Sequence, residues 1–164
     1  MFDKLKNKIG STYQKAIKDE FIKQGHNLSG KAVQSIDYST KDIPNGFEVS
    51  IDMVYYGRIL NKGVKPERIP FGQARAAKSK YIEGLKRYAQ KRMRVSPKKA
   101  LSIAFAIAKT QKKEGLPTYK SRRFSKTGRR KDFVKDAVDD VQAKVNRVIQ
   151  EQTNLLLISL IQEV

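Results

Sequence analysis

Residue types able to do catalysis are sparse in this chain. His26 is the only histidine and there is no cysteine. Neither a thiolate–imidazole metal site nor a Ser–His pair with any serine the sequence singles out is therefore available. Asp132, Asp136 and Asp140 recur at four-residue steps. That spacing would align three carboxylates on one helix face, where a divalent cation is conceivable. A solvated acidic first turn, favoured by the helix dipole, explains the same spacing more simply. Asp139 and Asp140 are adjacent and so point in different directions on a helix. The glycines show neither a G-x-G-x-x-G nor a P-loop spacing. No catalytic constellation emerges, and the chain reads as non-enzymatic, with no cofactor and no metal.

Charge carries more information. Thirty-five Lys and Arg oppose sixteen Asp and Glu, for a formal net charge of +19. Between Asn61 and Lys131 stand 23 basic residues and three acids (Glu67, Glu83 and Glu114), a net of +20, while the remainder nets −1. Self-repulsion on this scale costs stability, so the middle segment points to an anionic partner, the plainer alternative being basic loops that merely keep the chain soluble. Within it, Arg122, Arg123, Lys126, Arg129, Arg130 and Lys131 cluster on a stretch rich in Ser and Gly. Guanidiniums meet phosphate or carboxylate bidentately, and Tyr119 or Phe124 offers a ring for stacking. The partner is either nucleic acid or a carboxylate-rich protein surface. No helix-turn-helix, zinc or RNP pattern accompanies the cluster.

Periodicity says which elements hold these residues. Phe2, Leu5, Ile9, Tyr13, Ala16, Ile17 and Phe21 recur at helical steps over residues 2–24, with Gly25 as the stop and His26 in a surface loop. Gly10 weakens that helix by roughly 1 kcal/mol. Phe47, Val49, Ile51, Met53 and Tyr55 alternate with mostly polar residues, the pattern of a half-buried strand. Ala32–Tyr38 supplies a partner strand, and Pro44-Asn45-Gly46 is the reversal. Val64–Gly72 is a proline-containing loop. A thin apolar stripe in a very basic stretch predicts a helix over Gln73–Arg94. Ser96-Pro97 opens a clearer one, which Glu114-Gly115-Leu116-Pro117 ends. Thr118–Lys131 has little to bury and is expected to be extended or disordered until bound. Asp132 caps a last helix running to about Glu163, with Val134, Val138, Val141, Val145, Val148 and Leu155 as its seam. The apolar tail Leu155–Ile161 is expected to be covered by the N-terminal helix or a neighbouring subunit.

The stretch 28–63 organises the rest. Leu28-Ser29-Gly30, then Ser35-Ile36, an alternating strand, and Tyr55-Tyr56-Gly57-x-x-Leu60-x-x-Gly63 together resemble the tail-completion or head–tail joining (neck) proteins of tailed bacteriophages. Those proteins read L-[ST]-G, then S-[IV], a strand, and Y-[AG]-x-x-[LV]-x-x-G-[TV] before a basic loop. Their closing R-P-F-[LF]-x-x-A segment has its nearest counterpart in Lys131-Asp132-Phe133-Val134-Lys135-Asp136-Ala137, with aspartate in place of proline. The resemblance covers residues 26–64, is weaker over 100–137, and is absent from Gln73–Arg94, which looks like an insertion. It implies a structural virion protein at the neck, a homo-oligomeric ring touching portal or adaptor and tail proteins, with DNA in the lumen as a further contact. In that role Ser29 and Gly30 would turn the chain, Tyr55 and Tyr56 would point to opposite sides of the sheet, and Gly57 and Gly63 would admit close backbone. A sequence-nonspecific DNA- or RNA-binding accessory protein is the alternative.

The expected fold is α+β: a small antiparallel β-sheet with helices packed on one face and a long C-terminal helix. One domain is expected over 1–164, composed of an N-terminal helix (1–25), a β core (28–63), a basic helical and loop insertion (64–131) and the C-terminal helix (132–164). Met1–Lys6 lacks a signal-peptide core, and an apolar run such as Leu155–Ile158 is too short to span a bilayer. The expected setting is accordingly soluble and non-secreted, with no membrane contact.

Overall fold

The apolar steps of the first two dozen residues close into helix α1 (Phe2–Lys23) in a computed structural model of the chain. The structure describes residues 2–72 and 79–162. After α1 come a one-turn helix α2 (Lys31–Gln34), strands β1 (Asp37–Ile43) and β2 (Gly46–Asp52), and α3 (Tyr55–Lys62). Helices α4 (Lys80–Met93), α5 (Pro97–Glu114) and α6 (Phe133–Gln162) follow, with short 3-10 segments at Pro66–Arg68 and Tyr119–Phe124. The class is α+β. Its sheet has two antiparallel strands, with Tyr38 opposite Ile51, Thr40 opposite Val49 and Asp42 opposite Phe47. No helix among the described residues is long and apolar enough to cross a membrane.

The chain divides into two compact units. The first comprises Met1–Lys23, Ser29–Gly57 and Asp132–Val164. In it Leu5 and Ile9 of α1 meet Val145 and Val148 of α6, with Tyr13, Phe47, Val49 and Val141 packed around them. Phe21 and Phe133 meet edge to face, centroids 5.1 Å apart, so α1 and α6 run antiparallel. The alternation read from the sequence thus works as expected at Phe47 and Val49, which turn toward α1 and α6. Gly10 has a packing reason: a Cβ there would lie 2.6 Å from Cε2 and 2.9 Å from Cγ of Tyr38. Glycine in mid-helix lets the β1 tyrosine lie directly against the α1 backbone. The Lys6 ammonium, on a side chain only 7% exposed, bridges Asp3 and Asp42 at 2.7 Å each and ties α1 to the hairpin tip. Donating those bonds holds Lys6 above the ordinary lysine range and holds the Asp3 carboxyl below its own.

The second unit comprises Gln24–Leu28 and Arg58–Lys131. Ile82, Ala104 and Ala108 form its core, lined by Phe71, Tyr81, Leu85, Leu101 and Phe105. Small residues at Ala100, Ala104 and Ala108 let α4 and α5 approach closely, and the Tyr81 hydroxyl donates to Gln111 Oε1. Ser79 caps α4 by accepting from the Ile82 amide, and Ser96 caps α5 by accepting from Lys99. Val64 and Leu116 pair as an isolated antiparallel bridge. Gly63, at φ 75°, stands where a Cβ would be 2.5 Å from the Leu116 carbonyl oxygen, so a side chain there would break the bridge.

Several expectations require correction. Ala32–Tyr38 is not a continuous strand: Lys31–Gln34 is helical and β1 starts at Asp37. Ser35 explains the change. Its hydroxyl donates to the Ala32 carbonyl and accepts from the Val54 amide, turning the chain out of the helix before the strand begins. β2 ends at Asp52, short of Met53 and Tyr55. Tyr55 and Tyr56 both open α3, so they do not straddle the sheet. α4 begins at Lys80 behind its Ser79 cap, and the predicted helical positions 73–78 lie outside the described residues. Thr118–Lys131, expected to be extended or disordered, carries the 3-10 segment Tyr119–Phe124. Among the described side chains of the C-terminal tail, Leu155, Leu157, Ile158 and Ile161 are 52–75% exposed, so α1 does not cover these four. At about 1.5 Å per residue, α6 is some 12 Å longer than α1, so its end has no α1 to lie against.

Candidate polyanion-binding site

The cationic excess maps onto one of the two units. The second unit carries 24 basic residues against three acids, a net of +21, whereas the first carries 11 against 13, a net of −2. Of the three acids in the cationic unit, Glu114 accepts from the Tyr119 amide at 2.9 Å and Glu83 lies 3.7 Å from Lys86. Most of the positive charge therefore has no carboxylate to neutralise it inside its own unit.

Two rings organise the arginines. Phe124, half-buried, has the Arg92 guanidinium 5.4 Å and the Arg123 guanidinium 4.8 Å from its centroid. Tyr119, 74% exposed, has Arg122 at 5.5 Å. Stacking on an aromatic face costs a guanidinium none of its in-plane N–H donors, so each remains able to meet an oxyanion bidentately. The 3-10 segment sets this up: Thr118 begins it, Glu114 receives the first amide, and the Ser121 hydroxyl donates back to Thr118. Beyond it, the Thr127 amide donates to the Ser125 hydroxyl and the Arg129 amide to the Thr127 hydroxyl. Short hydroxyl-to-backbone bonds of this kind order a loop without a core.

Arg130 plays a different part from its neighbours. Its Nε donates to the Gln24 carbonyl at 3.1 Å, one terminal nitrogen to Gly25 at 3.1 Å, and the other to Ser121 at 3.5 Å. Burial and the nearby Arg92 charge lower its pKa, while Tyr88 opposes the shift. It is an internal latch holding Gln24–Gly25 against the arginine segment. Beside it, His26 is half-buried rather than a surface loop residue. Burial first, and the Arg130 charge second, depress its pKa from 6.5 to about 4.

Of the residues singled out by sequence, Arg122, Arg123, Lys126, Arg129 and Lys131 are exposed on this segment, and Arg130 is turned inward. Arg92 was missed. It lies 32 residues before Phe124, on another element, and nothing in the local pattern ties them. The motif residues act mostly as joints. Gly30, at φ 79°, precedes α2; Ser35 links α2 to the start of α3; Gly57 is buried with Met53 Sδ against it. Leu60 is half-buried, Ser29 is exposed and Leu28 is 39% exposed. Tyr55 and Tyr56 are 79% and 45% exposed. Among the described residues no group of three or more His, Asp or Glu gathers to hold a metal ion. Compared with known proteins, the chain matches no family model, no curated sequence and no solved structure.

Proposed function

We propose that the chain is a structural virion protein of a tailed bacteriophage, a neck or tail-completion component that assembles as a ring between portal or adaptor and tail. The observation that carries this reading is the separation of surface chemistry between the units. One holds a net of +21; the other is nearly neutral and bears the apolar α6 end and the motif tyrosines. Uncovered aromatic and aliphatic side chains of that kind are what subunit contacts use. A near-neutral surface also permits copies to meet without cationic repulsion. The first unit at −2 cannot neutralise the second unit of a neighbouring copy at +21, so the cationic unit needs an anion from outside the ring. DNA in the lumen or acidic neck neighbours would supply it.

The resemblance over residues 28–63 supports the neck assignment, because the motif's Ser35, Gly57 and Gly63 all occupy constrained joints and its tyrosines are left outward. Heterologous contacts that close a ring use different patches on the two sides of a subunit. The exposed α3 tyrosines and the α6 end are two such patches. The alternative reading, a free accessory protein binding DNA or RNA without sequence preference, is favoured by the same +21 and needs no ring.

Native mass spectrometry and sedimentation velocity over a concentration series decide between them. A closed oligomer that persists without nucleic acid is expected. A chain that stays monomeric at every concentration yet binds nucleic acid would hand the case to the alternative.

A further inference from the structure

The charge of the second unit is too dense for an ordinary protein partner. Protein surfaces mix both signs, whereas duplex DNA presents one negative charge for about every 1.7 Å of axis. The two rings that might have stacked on bases are instead engaged by guanidiniums, Phe124 by Arg92 and Arg123, and Tyr119 by Arg122. An aromatic used in this way holds an arginine in place; it does not offer a free platform for an unstacked base. The guanidinium carbons of Arg92 and Arg123, at 5.4 and 4.8 Å from one centroid, lie within about 10 Å of each other, close enough to serve neighbouring phosphates. All three side chains are exposed.

From this we infer that Arg92, Arg122 and Arg123 form a binding site for the sugar–phosphate backbone of duplex nucleic acid, read without base contacts. The inference rests on the reading of the second unit as polyanion-binding and deepens it. It adds Arg92, which the linear cluster does not contain, and removes Arg130, whose donors already serve Gln24, Gly25 and Ser121. Because Phe124 and Tyr119, the rings of this site, already seat guanidiniums, a single strand is expected to gain no advantage there over a duplex of equal phosphate number.

The test is fluorescence anisotropy of the full chain with a mixed-sequence DNA duplex of about two helical turns, titrated at several sodium chloride concentrations. The variant carries Arg92→Ala, Arg122→Ala and Arg123→Ala. Each lost phosphate contact lowers the slope of log affinity against log salt by about 0.9, so a fall of about 2 to 3 is expected, with at least about tenfold weaker binding. A triple Arg→Lys variant keeps the charges and is expected to keep the slope, which separates loss of contacts from loss of folding. A control removes three exposed cations elsewhere in the unit, Lys98→Ala, Lys99→Ala and Lys109→Ala. It is expected to change the slope by less than about 1. Equal effects of the two alanine triples would overturn the site while leaving the unit a nonspecific DNA binder. Tight binding to a single strand with weak duplex binding would overturn the backbone-only reading. Capture of poly-glutamate with no affinity for duplex would overturn the ligand and favour an acidic protein. No affinity for either would sink the polyanion reading itself.

Discussion

Replacing Gly10 by alanine sets two opposing effects against each other. Mid-helix, alanine is better than glycine by about 1 kcal/mol. The new Cβ, however, would stand 2.9 Å from Cγ and 2.6 Å from Cε2 of Tyr38. Cγ is the first ring atom, so a small rotation cannot clear it and the whole side chain must leave its place on α1. Tyr38 is half-buried; losing about 100 Å² of ring burial costs about 2.5 kcal/mol. Its weak hydroxyl bond to Asn7 Oδ1, at 3.4 Å, goes with it. Gly10→Ala is therefore expected to destabilise the chain by about 1.5 kcal/mol. With the ring removed by Tyr38→Ser, the same substitution is expected to stabilise by about 1 kcal/mol. Urea unfolding followed by far-ultraviolet circular dichroism measures both, provided the slope m is unchanged. If Gly10→Ala has the same sign in both backgrounds, or stabilises the native chain, the account of Gly10 as a seat for Tyr38 is wrong.

Other perturbations test the site and its supports. Arg130→Ala leaves three carbonyls without their charged donor, and with the partial exposure of that side chain discounted, a loss of about 1–3 kcal/mol in urea unfolding is expected. Arg130→Lys should recover only part of it, since one ammonium cannot span Gln24, Gly25 and Ser121, and the salt slope for DNA should change by less than about 1 in either variant. The folded-state pKa of His26 is depressed, so between pH 6.5 and about 4 the unfolded chain binds a proton that the folded chain refuses. Stability from this source is present above pH 6.5 and lost as the pH falls to about 4. The full difference is about 3 kcal/mol, reduced to roughly 1–2 for a half-buried ring. Unfolding of the native chain and of His26→Gln, compared across that window, should show the wild type alone acquiring this extra acid sensitivity. Leu157→Ser and Ile158→Ser, at side chains 53% and 52% exposed, should leave monomer stability within about 0.5 kcal/mol. Each should weaken self-association about tenfold by sedimentation; unaltered association would remove the α6 end from the subunit contact.

Much of the architecture was legible before any coordinates. The step of Leu5, Ile9, Ile17 and Phe21, and the alternation of Phe47 and Val49, follow from the fixed periods of helix and strand. Ser96-Pro97 announced α5 because a cap and a preset φ act within a few residues. The location of the positive charge was equally plain, being a matter of counting. What local pattern could not supply was anything decided by partners distant in the chain. Ala32–Gln34 reads as strand, yet it is helical, and the Ser35 hydroxyl, held between Ala32 and Val54, ends that helix before the strand begins. Gly10 reads as a flaw until Tyr38 is laid against it.

Arg130 shows the difference most sharply. In sequence it is one of four arginines between positions 122 and 130, with nothing to tell it from Arg129. In space, three carbonyl oxygens from residues 9 to 106 positions away claim its donors, while Arg92 arrives from α4 to share a ring with Arg123. Composition and periodicity are properties of neighbours along the backbone, and they determine which segments are helical, extended or cationic. Whether a given cation faces outward or locks the fold depends on which acceptors lie within about 3 Å after folding, a matter only packing decides.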